Sequence, residues 1–158
     1  MQDITAAPTQ DRYFEDYPQG ATFELGSIAV TAEEVESFAR RYDPQAFHVD
    51  PQAAADSMFG GIIASGWHTG SLIMRLLVQG YLSQASSLGS PGIDELRWLR
   101  PVRPGDVLSV RVTVVEANRS RSKPDRGVVR SLIEARNQDG EPVMSMRALN
   151  LVRCRNPA

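Results

Sequence analysis

The hydrophobic positions of the chain follow two periodicities, one helical and one typical of strands. Before residue 86 most apolar residues recur at helical spacing, whereas after Ser90-Pro91-Gly92 they alternate with polar residues. The alternation is clearest at Leu108, Val110, Val112 and Val114. It is the pattern of a half-buried antiparallel strand. Helices followed by strands predict an α+β domain.

The first helix is predicted from its N-terminal signal and its apolar face. Thr31 and Glu34 have the spacing of a capping box, in which each side chain accepts a hydrogen bond from the other residue's backbone N–H. The residues that follow place four apolar side chains on one face: Val35, Phe38, Ala39 and Tyr42. Because Pro44 disfavours helical geometry at Asp43, we expect the helix to end there.

A second, longer helix is predicted from Gly66 to about Ser86. Its apolar residues cover most of the helix circumference, and its polar stripe is narrow: Ser71, Arg75 and Gln79. Such a helix is largely surrounded by other structure. Between the two helices, Asp50-Pro51 resembles an N-cap followed by proline at the first helical position, which predicts a short helical turn over 51–57.

The remaining segments predict a long antiparallel sheet. Apolar residues indicate a first strand between Phe23 and Val30, and further strands are predicted near 93–100, 108–114, 127–136 and 142–153. Turns are expected at Pro104-Gly105-Asp106 and at Asp139-Gly140. We therefore expect this sheet to curl around one buried central helix.

Composition limits the possible functions. The chain has 158 residues, and 42% of them are hydrophobic. This composition predicts a flexible polar arm over residues 1–12 followed by one domain over 13–158. A net charge of −2 argues against binding to nucleic acid or to an anionic membrane. The single cysteine, Cys154, forms no internal disulfide, and no ligand cluster indicates a metal. With no export signal and no apolar stretch of membrane-spanning length, a cytoplasmic protein is expected.

Asp43 and His48 are the residues that point most directly to chemistry. They place a carboxylate and an imidazole five residues apart, in a predicted Pro-containing loop directly after the first helix. Gly66 opens the central helix after a glycine-containing segment, 59–65. Backbone N–H groups near an acid–base pair favour a site that stabilises an enolate-like oxyanion. Taken alone, Asp43 also fits a helix-terminating residue and His48 an ordinary half-buried polar side chain. His68 is interpreted as structural.

Between Phe38 and Leu77 the chain resembles the MaoC-like family of hot dog fold proteins, which includes the (R)-specific enoyl-CoA hydratases. The family motif has Asp and His five residues apart, followed by FG-x-x-IA-x-G leading into the central helix. Here these are Asp43, His48 and the run from Phe59 to Gly66. The family commonly has Asn and Pro where this chain has Gln45 and Ala46. Most of the chain from Tyr13 to Val152 can be laid on this fold.

The resemblance implies a hot dog fold, an antiparallel sheet wrapped around one long helix, and the reversible hydration of a trans-2-enoyl thioester to a 3-hydroxyacyl thioester. It assigns catalysis to Asp43 and His48, which would share the acid and base roles around one water, and an oxyanion hole to the Gly66 N–H. Three neighbouring residues are candidates for substrate binding: Gln45, Ser65 and Trp67. No cofactor is expected beyond the coenzyme A of the substrate, and no metal.

The expected partner is an acyl thioester of coenzyme A or of acyl carrier protein. The phosphates of coenzyme A, or the acidic surface of the carrier protein, would contact either Arg100 and Arg103 or the basic loop 118–127. Two other functions remain open: a hot dog thioesterase and a non-catalytic module that binds acyl thioesters. Because a single sheet-on-helix layer leaves a sheet face and edges uncovered, we expect at least a homodimer.

Overall fold

The computed structural model of the protein describes residues 7–157. Five strands form one antiparallel sheet in the order β1-β3-β4-β5-β2, so that β1 and β2 are its edges. The strands are β1 (Thr22–Ala29), β2 (Gly92–Trp98), β3 (Val107–Arg119), β4 (Arg126–Arg136) and β5 (Pro142–Arg153). The helices between β1 and β2 are α1 (Ala32–Tyr42), α2 (Ala46–Val49), α3 (Pro51–Asp56) and α4 (Gly66–Gly80). Short 3-10 turns at Thr9–Asp11 and Phe14–Asp16 precede β1.

The core lies between the concave face of the sheet and α4. The alternating apolar residues of β3 are buried and join one cluster with the apolar side chains of α4, Leu72, Ile73, Leu76 and Leu77. Their polar neighbours along β3 face the opposite side of the sheet, as a period of two requires. The predicted α+β class and the hot dog arrangement, a sheet wrapped around one central helix, are confirmed.

The central helix ends at Gly80, about six residues before the predicted end near Ser86. A side chain at position 80 would meet Leu25 of β1 at 3.2 Å, so the glycine lets the helix end approach the sheet closely. Beyond it the hydroxyls of Ser83 and Ser86 donate to the backbone carbonyls of Gln10 and Arg12. These tertiary hydrogen bonds hold residues 81–86 in a non-helical conformation, although the hydrophobic pattern of this segment would have continued α4.

One face of α4 is not covered by the sheet. Trp67, Met74 and Val78 are each about half exposed or more. Ile93 on the edge strand β2 is also exposed, and so is Trp98 at the end of that strand. A single chain therefore leaves an apolar surface of α4 and β2 in contact with solvent.

The predicted flexible arm, residues 1–12, lies partly outside the described residues. Within the described part, Arg12 is buried, and its guanidinium donates to the carbonyl oxygens of Ala7 and Gly80 at 2.8 and 2.9 Å. The same guanidinium lies 4.8 Å from the ring centre of Phe23. Because Arg12 is buried and bonds to Gly80 at the end of α4, the packed part of the chain begins before residue 13.

No helix within residues 7–157 combines the length and the apolar character needed to cross a lipid bilayer.

Candidate active site

Asp43 occupies the end of α1, where Pro44 was predicted to stop the helix. Its backbone N–H still donates to the carbonyl of Ala39 at 2.8 Å, but its φ and ψ of −150° and 68° are no longer helical. The stretch from Asp43 to His48 was expected to be a loop throughout. Instead, residues 46–49 form the short helix α2, closed by a 2.8 Å bond from the Asp50 N–H to the Ala46 carbonyl. His48 is therefore carried on a helical turn.

His48 and Asp43 are in direct contact. Nε2 of His48 lies 3.2 Å from Oδ2 of Asp43, and Nδ1 lies 2.6 Å from the carbonyl oxygen of Ile63. Since a carbonyl oxygen only accepts hydrogen bonds, Nδ1 carries a proton, and Nε2 is the nitrogen that can exchange one with Asp43 or with a bound molecule. His48 is buried, whereas Asp43 is partly open to solvent. The carboxylate therefore stands on the accessible side of the pair.

Gln45 and Ser65 complete the surroundings of the Asp43 carboxylate. The side-chain amide of Gln45 donates to Oδ1 of Asp43 at 2.8 Å. Burial by itself raises the pKa of Asp43, but hydrogen bonds from Gln45 and Ser65, together with the adjacent His48, outweigh it and lower the pKa below its ordinary value. Asp43 is thus held as a carboxylate at neutral pH.

Backbone hydrogen bonds bring the separate parts of the site together. The Ile63 N–H donates to the Phe47 carbonyl at 3.3 Å, and the Ala64 N–H donates to the Val102 carbonyl at 2.7 Å. Three segments distant in sequence therefore run side by side. They place His48 next to the segment that leads into the first turn of α4.

The N-terminus of α4 presents a free backbone donor. Ser65 is its N-cap and accepts from the Trp67 N–H at 3.3 Å, whereas the Gly66 N–H has no acceptor within residues 7–157. At the first residue of a 15-residue helix, this N–H also lies at the positive end of the helix dipole. It is suited to a negatively charged oxygen.

Trp98 lies directly against Gly66, a contact that the sequence does not predict. Its indole Nε1 donates to the Gly66 carbonyl at 2.9 Å, and a Cβ built on Gly66 would fall 2.4 Å from an indole carbon. Trp67 meets the same indole edge-on at a ring distance of 5.1 Å. Nothing in the spacing of residues 66 and 98 indicates this contact, because it joins the helix to the edge of the sheet.

These residues surround one cavity of about 400 Å³. Asp43, Gln45 and His48 form its polar side, Gly66 and Trp67 also line it, and Ser65 is buried beside Asp43. The rest of the wall is apolar except for Thr69 and Arg100: Phe59, Ile63, Ala64, Trp98, Leu99, Pro101 and Val102. The structure thus brings the six residues predicted for catalysis, the oxyanion hole and substrate binding to a single place.

Residues 16–136 match the MaoC-like domain family. The chain belongs to this family. The MaoC-like dehydratase from Rhodospirillum rubrum is 40% identical, with a TM-score of 0.86 over 92% of this chain and 99% of that one. The (R)-hydratase PhaJ1 from Pseudomonas aeruginosa is 26% identical, with a TM-score of 0.73 over 90% and 86% of the two chains.

A relative known from its sequence is the 3-hydroxybutyryl-CoA dehydratase of Methylorubrum extorquens, which is 30% identical over 139 residues, 85% of this chain and 83% of the relative. Some other curated relatives are longer proteins, and the chain spans 30% of protein MaoC from Klebsiella aerogenes. The relatives from Rhodospirillum, Pseudomonas and Methylorubrum are thus named as one hydratase and two dehydratases.

In this MaoC-like protein the two basic regions proposed to meet the carrier lie far apart. Arg100 lines the cavity and has one distant ionic contact, 3.7 Å from Glu141, while Arg103 donates to the Phe59 carbonyl. The loop 118–127 lies at the far end of β3, a strand of 13 residues that is about 40 Å long when extended. Within one chain, Arg100 is therefore the cation nearest to the cavity.

His68, the other histidine of the MaoC-like chain, does not line the cavity. It is buried on α4, and its ring stacks on Phe38 at 5.1 Å with an interplanar angle of 15°. Burial lowers its pKa against the opposing effect of Glu34, so it is neutral near pH 7. This agrees with the structural role expected for it.

Within the part of the chain that the structure describes, no group of three or more His, Cys, Asp or Glu side chains is arranged to hold a metal ion.

Proposed function

We propose that the protein is a hydratase or dehydratase that interconverts a trans-2-enoyl thioester and a 3-hydroxyacyl thioester. The observation that carries this proposal is the 3.2 Å contact between Asp43 and His48 at a cavity that is also lined by Gly66, the first residue of α4. Membership of the MaoC-like family and the hydratase and dehydratase names of its relatives support the reaction class.

In the proposed hydration, Asp43 Oδ2 and His48 Nε2 hold one water by its two protons, which leaves a lone pair of the water oxygen directed at the substrate. The oxygen bonds to the β carbon as the pair takes one proton, and the electrons of the α,β double bond move onto the thioester oxygen. A proton delivered from the pair to the α carbon completes the 3-hydroxyacyl product. Dehydration is the reverse sequence, with the same pair exchanging the protons.

Gly66 would stabilise the enolate oxygen formed between these two events. Its N–H is preorganised by the helix, so it needs no reorganisation as charge develops on the oxygen. Donors of this kind contribute roughly 3 kcal/mol of transition-state stabilisation in other enzymes. All groups in these steps are side chains or backbone of this chain, so the proposal requires no metal and no cofactor besides the thioester carrier.

The carrier is proposed to be coenzyme A or acyl carrier protein, with its phosphate near Arg100. The Arg100 guanidinium lies at the cavity wall and is half exposed, and its one ionic contact is the 3.7 Å contact with Glu141. It is therefore available to a phosphate group.

The active unit is proposed to be at least a homodimer. The apolar surface formed by α4 and β2 adjoins the cavity through Trp67 and Trp98, and an edge strand with exposed apolar side chains favours pairing with a second copy. This pairing would also cover the open side of the cavity.

The decisive experiment is the hydration of a short enoyl-CoA by the purified protein. Asp43→Asn and His48→Ala are each expected to lower turnover by about 100-fold or more, the usual scale for acid–base residues, with an unchanged circular dichroism spectrum. His68→Phe is the matched histidine control and is expected to retain turnover. Release of free thiol from a saturated acyl-CoA would instead favour a thioesterase, and tight binding without turnover a binding module.

A further inference from the structure

We propose that Trp98 determines which acyl chains the site accepts and that, together with Trp67, it restricts the site to short acyl groups. This inference rests on the proposed hydration of an enoyl thioester, for which it names the substrate class. Trp98 lies outside the family motif on which the sequence-based assignment depended.

The indole of Trp98 is held in one position by contacts on two sides. Its Nε1–H bond to the Gly66 carbonyl fixes one edge, and three of its ring atoms approach the Cα of Gly66 so closely that an added Cβ would lie 2.4 to 2.8 Å from them. Trp67 packs edge-on against the same ring. A side chain fixed in this way forms a rigid wall of the cavity, since it has only two side-chain dihedral angles and both are constrained.

The contact between Trp98 and Gly66, the proposed oxyanion donor, determines which part of the substrate lies beside the indole. A thioester oxygen that accepts from the Gly66 N–H lies about 3 Å from that nitrogen. The indole covers the Cα of the same residue, so the carbons next to the thioester carbonyl lie beside Trp98. The opposite side of the cavity is taken by Asp43, Gln45 and His48, where a hydrocarbon chain would remove hydrogen-bonding groups from water.

The hydrocarbon is therefore directed to the apolar part of the wall, where Trp98 contacts Gly66 and Trp67 packs against Trp98. The cavity of about 400 Å³ must hold the thioester group and part of its carrier arm as well as the acyl chain. Both indoles occupy space at the apolar side of this cavity, and truncating Trp98 to alanine removes a complete ring system from it. Longer acyl chains are then accommodated.

The test is a chain-length profile of kcat/KM for trans-2-enoyl-CoA esters of four, six, eight and ten carbons. The wild type is expected to prefer the four-carbon ester, and Trp98→Ala to raise the ratio of eight-carbon to four-carbon kcat/KM by at least about tenfold, the scale on which apolar pockets discriminate. Trp98→Phe, which keeps an aromatic ring, is expected to shift the ratio less.

The control is Val115→Ala, which removes apolar surface at an exposed residue of β3, a strand that is not adjacent to β2 and does not line the cavity at this position. Its profile is expected to match that of the wild type. Circular dichroism and light scattering of each variant show whether its fold and assembly are retained. If Trp98→Ala does not fold, Trp98→Leu is expected to shift the ratio in the same direction by a smaller factor.

Failure of the inference and failure of the proposed function give different results. If the wild type hydrates enoyl esters and Trp98→Ala lowers kcat/KM equally at all four lengths, or if the wild type prefers the ten-carbon ester, Trp98 does not set chain length. If the wild type hydrates none of the esters, the proposed function is wrong. Titration calorimetry with saturated acyl-CoA of the same lengths then measures the chain-length preference without catalysis, and an unchanged preference in Trp98→Ala overturns the inference.

Discussion

The side-chain amide of Gln45 donates a 2.8 Å hydrogen bond to Oδ1 of Asp43, while Oδ2 of the same carboxylate faces Nε2 of His48. The two carboxylate oxygens thus have separate partners. Position 45 is where this chain departs from the asparagine common in the resembled family, and the longer glutamine side chain still reaches the carboxylate. We infer that Gln45 keeps Asp43 ionised and oriented toward the imidazole.

Replacing Gln45 by leucine is expected to move the acid limb of the pH profile of kcat/KM to higher pH. The Gln45 hydrogen bond lowers the pKa of Asp43 against the effect of burial, so its loss raises that pKa. Because the carboxylate is the active form, activity is then lost at a higher pH as the solution is acidified. Gln52→Leu is the control, since Gln52 makes a similar amide–carboxylate contact with Asp56 on exposed α3. An acid limb that does not move would contradict the role given to Gln45.

Gly66→Ala is expected to be much more damaging in the wild type than in a Trp98→Ala background. The backbone of Gly66 is helical, with no positive φ, so alanine is excluded there by the indole and not by conformation. The measurement is a double-mutant cycle on kcat/KM for a short enoyl-CoA, with melting temperatures as the readout of folding. Equal losses in both backgrounds would show instead that the methyl group blocks the thioester itself.

Arg100→Ala is expected to raise KM for an enoyl-CoA by about tenfold to a hundredfold, because a charge-assisted hydrogen bond to a phosphate contributes on the order of 1.5–3 kcal/mol. KM for the matching N-acetylcysteamine ester, which has no phosphate, is expected to stay the same. The paired variant Arg121→Ala/Lys123→Ala serves as the control because its loop lies at the far end of β3. If this loop variant raises KM for the CoA ester and Arg100→Ala does not, the assignment is wrong.

Met74→Lys is expected to produce a folded monomer, measured by light scattering at micromolar concentration. Met74 is half exposed in the centre of the uncovered face of α4, and a charge buried there in a dimer interface would lack a partner. Val115→Lys introduces the same charge at an exposed position of β3 and is expected to leave the oligomer intact. A wild-type protein that is monomeric under these conditions would contradict the proposed dimer.

Much of the fold follows from local sequence signals. The Thr31 hydroxyl accepts from the Glu34 N–H at 3.2 Å, which is one half of the predicted capping box, and β5 spans the predicted 142–153. Such predictions succeed because a cap or an alternating strand is determined by residues within a few positions of one another. The end of α4 was predicted wrongly because tertiary contacts overrode the local pattern at residues 81–86.

In the candidate site, too, some features follow from local sequence and others only from tertiary contacts. The five-residue spacing of Asp43 and His48 identified the pair, and Gly66 was found from its place at the start of a helix. The bond from His48 to the Ile63 carbonyl, which determines the reactive nitrogen, depends on two segments 15 residues apart being brought together.

By itself, the sequence determined the α+β class, most of the helices and strands, and the residues that can carry acid–base chemistry, because each depends on near neighbours along the chain. Only the tertiary structure decided that Trp98 covers Gly66, that Arg100 rather than the basic loop borders the cavity, and that α4 keeps one apolar face open. These relationships join residues far apart in sequence. They arise when the sheet closes around the helix, and no local periodicity encodes them.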